Sequence, residues 1–223
     1  MSLDKTIREN LDGKYLTIYT DNFNESVEYA LQMHVNQIHL IGISGVKNIV
    51  DFKELKKISD TLQIISFIGG IENIINFESI YSLKNIQKIY FQQRQKFVID
   101  ISRFPEIMHL GSEYWKGLTN FNKAYSLKSM VLFKFTDMNL NQISGLQKLQ
   151  ILHIYSSKIQ TLDGIETLPI EELSLVRNNY LEDIQAIKEL KMLKELNIEK
   201  CKNIVDYNLV DSLNNKIRVN IIK

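Results

Sequence analysis

Three stretches of this chain can be laid on one another: LKSMVLFKF from Leu127, LQKLQILHIYSSKI from Leu146 and LKMLKELNIEKCKNI from Leu190. Each places apolar residues as L-x-x-L-x-L and continues with another apolar run at every third position. The pattern returns about every 21–23 residues, so one structural unit is being repeated. Apolar residues two apart mark a short strand, and apolar residues three apart mark a helical or irregular return segment. A unit this small cannot bury its apolar face alone. Units of this kind must stack coil on coil, which predicts one continuous α/β solenoid with a mainly parallel sheet on one side.

The coils are clearest toward the C-terminus. One has Leu149, Leu152 and Ile154 in its strand, then Ser157, then Ile159, Leu162, Ile165 and Leu168 at threes. The next has Leu173, Leu175, Asn178, Leu181, Ile184, Ile187 and Leu190, and the third Leu193, Leu196, Ile198, Cys201 and Ile204. Stepping back by 22 from Leu152 reaches Met130-Val131-Leu132 and then Met108-His109-Leu110. Upstream, Ile38-His39-Leu40, Ile65-Ser66-Phe67 and Ile89-Tyr90-Phe91 keep the apolar-x-apolar core, at gaps of 27 and 24, with only 19 left to Met108. The stretch 92–106 is too short for a regular return and is expected to hold a strand of its own over 97–101. YLTIY (15–19) alternates as a strand, and Asn22 with Glu25 opens a helix through Val27, Leu31 and His34 as a capping box would. KIRVNII (216–222) alternates as a final strand. The expected organisation is an N-terminal cap over 1–34, irregular repeats over 35–107 and regular repeats with a terminal strand over 108–223, all in one domain.

These features resemble the leucine-rich-repeat family. The L-x-x-L-x-x-L-x-L units of 22 residues with isoleucine-rich returns are similar to bacterial internalin-type repeats, strongly over 108–221 and more weakly over 35–107. The resemblance implies short helical or irregular convex returns, a concave strand face, and a ladder residue in each coil that hydrogen-bonds the backbone of its neighbours. The ladder position falls on Ser157, Asn178 and Cys201, with Phe135 and Glu113 as departures in the two coils before them. It also implies a non-enzymatic role in binding other proteins.

Composition narrows the partners. Net charge is +1, with acids and bases interleaved throughout, so no basic stripe marks a nucleic-acid or membrane-surface binder. The lone Cys201 permits no intrachain disulfide, and neither a signal-peptide core nor a long apolar span is visible, so a cytoplasmic location and no membrane partner are expected. Cys201 reads as a buried structural thiol, since nothing in the sequence supplies the basic partner of a nucleophile. His39, His109 and His153 share the slot between two strand leucines. Two coils separate His109 from His153, about 10 Å at strand spacing with Val131 between, so neither a metal nor a cofactor is expected. Gly42-Ile-Ser-Gly45 reads as a turn, Trp115 as core, and the lysines from Lys188 to Lys202 as a solvated face mixed with glutamates.

What remains is the strand face. Alternation sends Ile151, His153 and Tyr155 outward from one coil, Val131 and Phe133 from its neighbour, and Lys88, Tyr90 and Gln92 from an earlier one. The face then turns polar through Glu172, Ser174, Val176, Glu195, Asn197 and Glu199. An aromatic and aliphatic centre with a charged end suits protein recognition. The candidate site is therefore Tyr90, His109, Val131, Phe133, Ile151, His153 and Tyr155, with Phe133 stacked beside Tyr155, and the expected partner is another protein. The alternative is an inhibitor or immunity protein that covers the active site of an enzyme or toxin.

Overall fold

Residues spaced by two and by three leave a chain little choice about where it turns. The computed structural model describes residues 4–43, 45, 48–213 and 217–222. These form an eleven-stranded sheet whose spatial order follows the sequence. Its strands are β1 (Ile7–Asn10), β2 (Gly13–Tyr19), β3 (Gln37–Ile41), β4 (Ile64–Ile68), β5 (Lys88–Phe91), β6 (His109–Glu113), β7 (Ser129–Phe133), β8 (Ile151–Tyr155), β9 (Glu172–Val176), β10 (Glu195–Glu199) and β11 (Arg218–Ile222). β1 and β2 form an antiparallel hairpin, and from β2 onward each strand pairs in parallel with the next. One helix, α1 (Phe23–Gln32), follows β2 and packs Phe23, Val27 and Ala30 into the first coil.

The return segments show why apolar residues recur at threes. Ile143 N–H donates to Leu140 O at 2.9 Å, Leu146 to Ile143 at 3.0 Å and Leu149 to Leu146 at 2.9 Å. All four side chains are fully buried. An i→i+3 bond closes a turn of three residues, so successive buried side chains lie on one line. Ile184, Ile187, Leu190 and Leu193 repeat the arrangement. At the opposite corner, where each strand ends, the backbone turns left-handed at Lys134, Ser156, Arg177 and Lys200. Their amides donate to the last residue of the next strand, at 2.9, 2.9, 2.8 and 2.6 Å.

Just past that corner runs the ladder. Asn178 is fully buried; its Nδ2 donates to Ile154 O at 2.8 Å, and its Oδ1 accepts from Ser157 N at 2.9 Å. Ser157 Oγ in turn accepts from Phe135 N at 2.9 Å, and Cys201 Sγ donates to Leu175 O at 3.4 Å. Gln95, which the repeat pattern does not single out, does the same work upstream, taking Ile71 N and donating to Gly69 O.

Four sequence expectations need correction. First, Met130 pairs with Leu110 and not with Met108, so β6 and β7 are offset by 20 residues and β5 and β6 by 21. The returns keep the spacing of 22, since Leu118, Phe121, Ala124 and Leu127 are buried as expected. The two missing residues therefore come out of the corner after β6. No left-handed residue occurs there, and Tyr114 N donates straight to Phe133 O at 2.8 Å. Consequently Glu113 ends a strand and is not the ladder residue of its coil, and His109 is not in the slot of His39 and His153. Second, Asn22 stands at the N-cap of α1 without the side-chain capping hydrogen bond that was expected of it. Third, the strand expected over 97–101 shrinks to Ile99–Asp100, paired with Leu118–Thr119 on the return side. Fourth, the hairpin partner β1 was not anticipated, because IREN presents no apolar alternation. The terminal strand is Arg218–Ile222, with residue 216 outside the described residues, as is Ser44 of the Gly42–Gly45 turn. Trp115 packs among Phe91 and Phe97, with its Nε1–H on Phe97 O at 3.0 Å.

Alanine at Leu152, Leu173 or Leu196, all fully buried, is expected to cost about 2–5 kcal/mol each in urea unfolding. A value under about 0.5 kcal/mol at any of them would contradict the register. Asn178→Ala strands a buried amide and a buried carbonyl together and is expected to cost about 2–4 kcal/mol. Cys201→Ser, which keeps a donor in place, should cost clearly less in the same assay.

Candidate protein-binding face

Strand alternation turns three rows of side chains to the concave side. The first runs Tyr15, Gln37, Ile64, Lys88, His109, Ser129, Ile151, Glu172, Glu195 and Arg218. The second runs Thr17, His39, Ser66, Tyr90, Gly111, Val131, His153, Ser174, Asn197 and Asn220. The third includes Glu113, Phe133, Tyr155, Val176 and Glu199. All seven sequence-derived candidates are in these rows. They do not form one cluster.

The N-terminal end of the face is closed. Lys88 on β5 reaches Asp12, in the β1–β2 turn, at 2.6 Å across β3 and β4. Gln37 and Ile64 beneath that span are only 2 % and 3 % exposed. The sequence gives no hint of a pair 76 residues apart. Beside it, Tyr15 and His39 stack with ring centroids 4.6 Å apart.

The open part begins at Tyr90. Phe133 and Tyr155, equivalent positions on adjacent strands, stack at 4.8 Å with ring planes 24° apart. Phe133 remains 43 % exposed, a large ring held out in water on a rigid strand. Tyr155 is fixed from its other side: its hydroxyl is 3.3 Å from His153 Nδ1, and His153 Nε2 is 2.7 Å from Glu172 Oε1. The two contacts hold the imidazole and the ring of Tyr155 in place together. Ile151 lies in the row beside Glu172, away from the stack.

Between Tyr90 and Phe133 the face opens into a depression of about 520 Å³. Tyr90 and Phe133 are among its lining residues, as are Gly111, Val131, Glu113 and Lys134. Glu113 is held by Arg94, Nε to Oε1 at 2.7 Å, and by Lys134, Nζ to Oε2 at 3.3 Å. Gly111, Glu113, Arg94 and Lys134 escaped sequence reasoning because the offset of β6 was hidden. With the correct pairing, Gly111 falls beside Val131 in the second row. His109 falls outside the depression, in the first row beside Lys88 and Ser129. Among the described residues, no three His, Cys, Asp or Glu side chains converge as a metal site requires. Burial pushes the Cys201 thiol up, away from the thiolate.

The concave parallel sheet, the three-residue return turns and the ladder decide the matter. The fold is that of the leucine-rich-repeat proteins. Internalin F from Listeria monocytogenes is similar at a TM-score of 0.57 and 13 % identity, over 87 % of this chain and 65 % of its own. Internalin C2 from the same organism gives 0.51 at 18 % identity, over 89 % and 92 %. A structure of the Toll–Spätzle complex from Drosophila gives 0.62 at 13 % identity, over 84 % of this chain and 27 % of the matched one. The chain thus spans about two thirds of internalin F and a smaller part of the Drosophila chain. No protein-family model matches it, and no curated protein matches it in sequence. No described helix is long and apolar enough to cross a membrane.

Two histidines of the leucine-rich-repeat face are poised against acid. Burial, with Arg8 nearby, holds His39 below its ordinary 6.5. Burial and the charges of Lys88 and Lys128 hold His109 below it too, with Asp12 opposing. The folded protein therefore binds fewer protons at these sites than the unfolded chain, and stability falls as pH drops from 6.5 toward their folded values. The double variant His39→Gln, His109→Gln is expected to flatten the loss of unfolding free energy between pH 7 and 5. Superimposable pH profiles for variant and parent would refute the assignment.

Proposed function

We propose that this chain is a non-enzymatic protein-binding module that holds its partner on the concave face, centred on Phe133, Tyr155 and His153, with Val131 and Tyr90 next. The carrying observation is the half-exposed Phe133–Tyr155 stack, buttressed by His153 and Glu172. Aromatic rings already fixed on a sheet lose little entropy on association and bring large contact area, which is how interface anchors behave. The charged end of the face, from Glu172 to Glu199, supplies a polar rim. Support also comes from the similar structures, since one of them is a complex of two proteins, Toll and Spätzle. Ile151 and His109 lie at the margin and contribute less.

The test is capture of a partner from native cells with the immobilised chain, followed by titration calorimetry with the partner so identified. Phe133→Ala or Tyr155→Ala should weaken binding by more than about 1 kcal/mol. Loss of the ring pair should cost less than about 1.5 kcal/mol of stability, so the variants remain folded. Alanine at Lys188 or Lys191, both exposed on the return side, should change little. Silent removal of Phe133 and Tyr155, with loss of binding on changing the return-side lysines, would place the interface elsewhere.

A further inference from the structure

Resting on the concave-face reading, we propose that the depression between Tyr90 and Phe133 is a specificity pocket for one apolar side chain of the partner, flanked in the partner's chain by a carboxylate residue.

The pocket is a notch in a row of larger residues. Along the second row, Tyr90, Val131 and His153 all carry substantial side chains, and Gly111 between Tyr90 and Val131 carries none. The edge of the Tyr90 ring leans over part of that notch, since a Cβ on Gly111 would meet Tyr90 Cδ1 at 2.7 Å. Any side chain at 111 would therefore displace the ring and fill the floor. The depression has Tyr90 and Phe133 on either side and Gly111 with Val131 below. Burial pushes the Tyr90 hydroxyl further from ionisation, so this wall carries no charge near neutral pH. A trough open along the sheet cannot enclose a small molecule on most sides, as a small-ligand site does. A side chain presented by a partner is covered by the partner's own surface, which suits the trough better.

Charge selects what accompanies that side chain. At the rim one carboxylate, Glu113, faces two cations, and one positive charge is left over. Both cations have room to engage a partner, Arg94 with 61 % and Lys134 with 55 % of the side chain exposed, whereas Glu113 is only 14 % exposed. An incoming carboxylate gains a charge-assisted hydrogen bond from Lys134 or Arg94 without disturbing Glu113. An incoming cation would meet two like charges first. The pair Lys88–Asp12 on the far side of Tyr90 is self-neutralised and favours neither.

The probe is a library of random twelve-residue linear peptides displayed on phage and panned on the immobilised chain. Selected peptides are then synthesised and titrated by fluorescence polarisation. Enriched sequences should carry a leucine, phenylalanine or tyrosine adjacent to aspartate or glutamate. Their affinity should drop about tenfold with Gly111→Val. It should drop about fivefold with Lys134→Glu, and it should not move with Lys191→Ala. Lys134→Glu leaves Gly111 and the floor unchanged, with Arg94 still on Glu113, and tests the charge part even if Gly111→Val unfolds, which circular dichroism would reveal. No enrichment, enrichment of basic or carboxylate-free sequences, or peptides indifferent to both substitutions would overturn the pocket. Peptides that lose affinity with Phe133→Ala but not with Gly111→Val or Lys134→Glu would leave the concave-face reading standing and remove only this one. Peptides insensitive to all of these would remove both.

Discussion

A stacked coil has a problem at its corner. Where each strand turns into its return, backbone amides and carbonyls point inward into a buried region, and several of them, Phe135 N, Ser157 N, Ile154 O and Leu175 O, are met by a side chain of the next coil. An unpartnered buried group of that kind costs on the order of 1–3 kcal/mol. The solution in this chain lies in the neighbouring coil: Asn178 takes Ser157 N and gives to Ile154 O, Ser157 takes Phe135 N, and Cys201 gives to Leu175 O. The coils that carry Ser157, Asn178 and Cys201 thus each complete the one before. The parallel sheet, the common register and the aligned outward rows all follow once neighbours are locked at that corner.

That dependence explains what the face can do. Side chains in equivalent slots stand one strand spacing apart, about 4.8 Å, which is also a comfortable distance between stacked rings. Phe133 and Tyr155 meet at 4.8 Å because of the repeat and need no special arrangement to do so. The departure from the repeat creates the depression instead. Shortening the corner after β6 leaves Gly111 beside Val131, and the ring of Tyr90 leans into the gap. Regularity supplies the stacked rings, and one irregularity supplies the recess.

Much of this was legible in the residues. Positions such as Leu152 with Ile154, or Leu140 with Ile143 and Leu146, announce strand and return because their spacing is a geometric consequence of each. The offset of β6 was not legible, for a specific reason. Its second inward position is Ser112, buried at 1 % exposure with its hydroxyl on Glu113 O, so the strand shows only one apolar core residue, Leu110. Met108-His109-Leu110 then imitates Met130-Val131-Leu132 and pulls the register two residues upstream. Gln95 was hidden for a similar reason, since a glutamine reaches the ladder from a position that asparagine would not occupy. Contacts such as Lys88–Asp12 and His153–Glu172 depend on side-chain reach across the face. Spacing alone does not encode them.

The same one-neighbour construction has a mechanical side. From β6 to β10 each coil holds 20 to 23 residues between equivalent strand positions but advances the stack by only one strand spacing. Drawn out straight, a coil of that size is roughly 70 Å long, against about 5 Å in the stack. Tension applied along the solenoid axis would act first on the coil at the C-terminal end, because the N-terminal end is additionally tied down by the Lys88–Asp12 pair. The molecule would lengthen in discrete steps of one coil each, at nearly constant resistance. Such a chain is a store of slack as much as a rigid sheet.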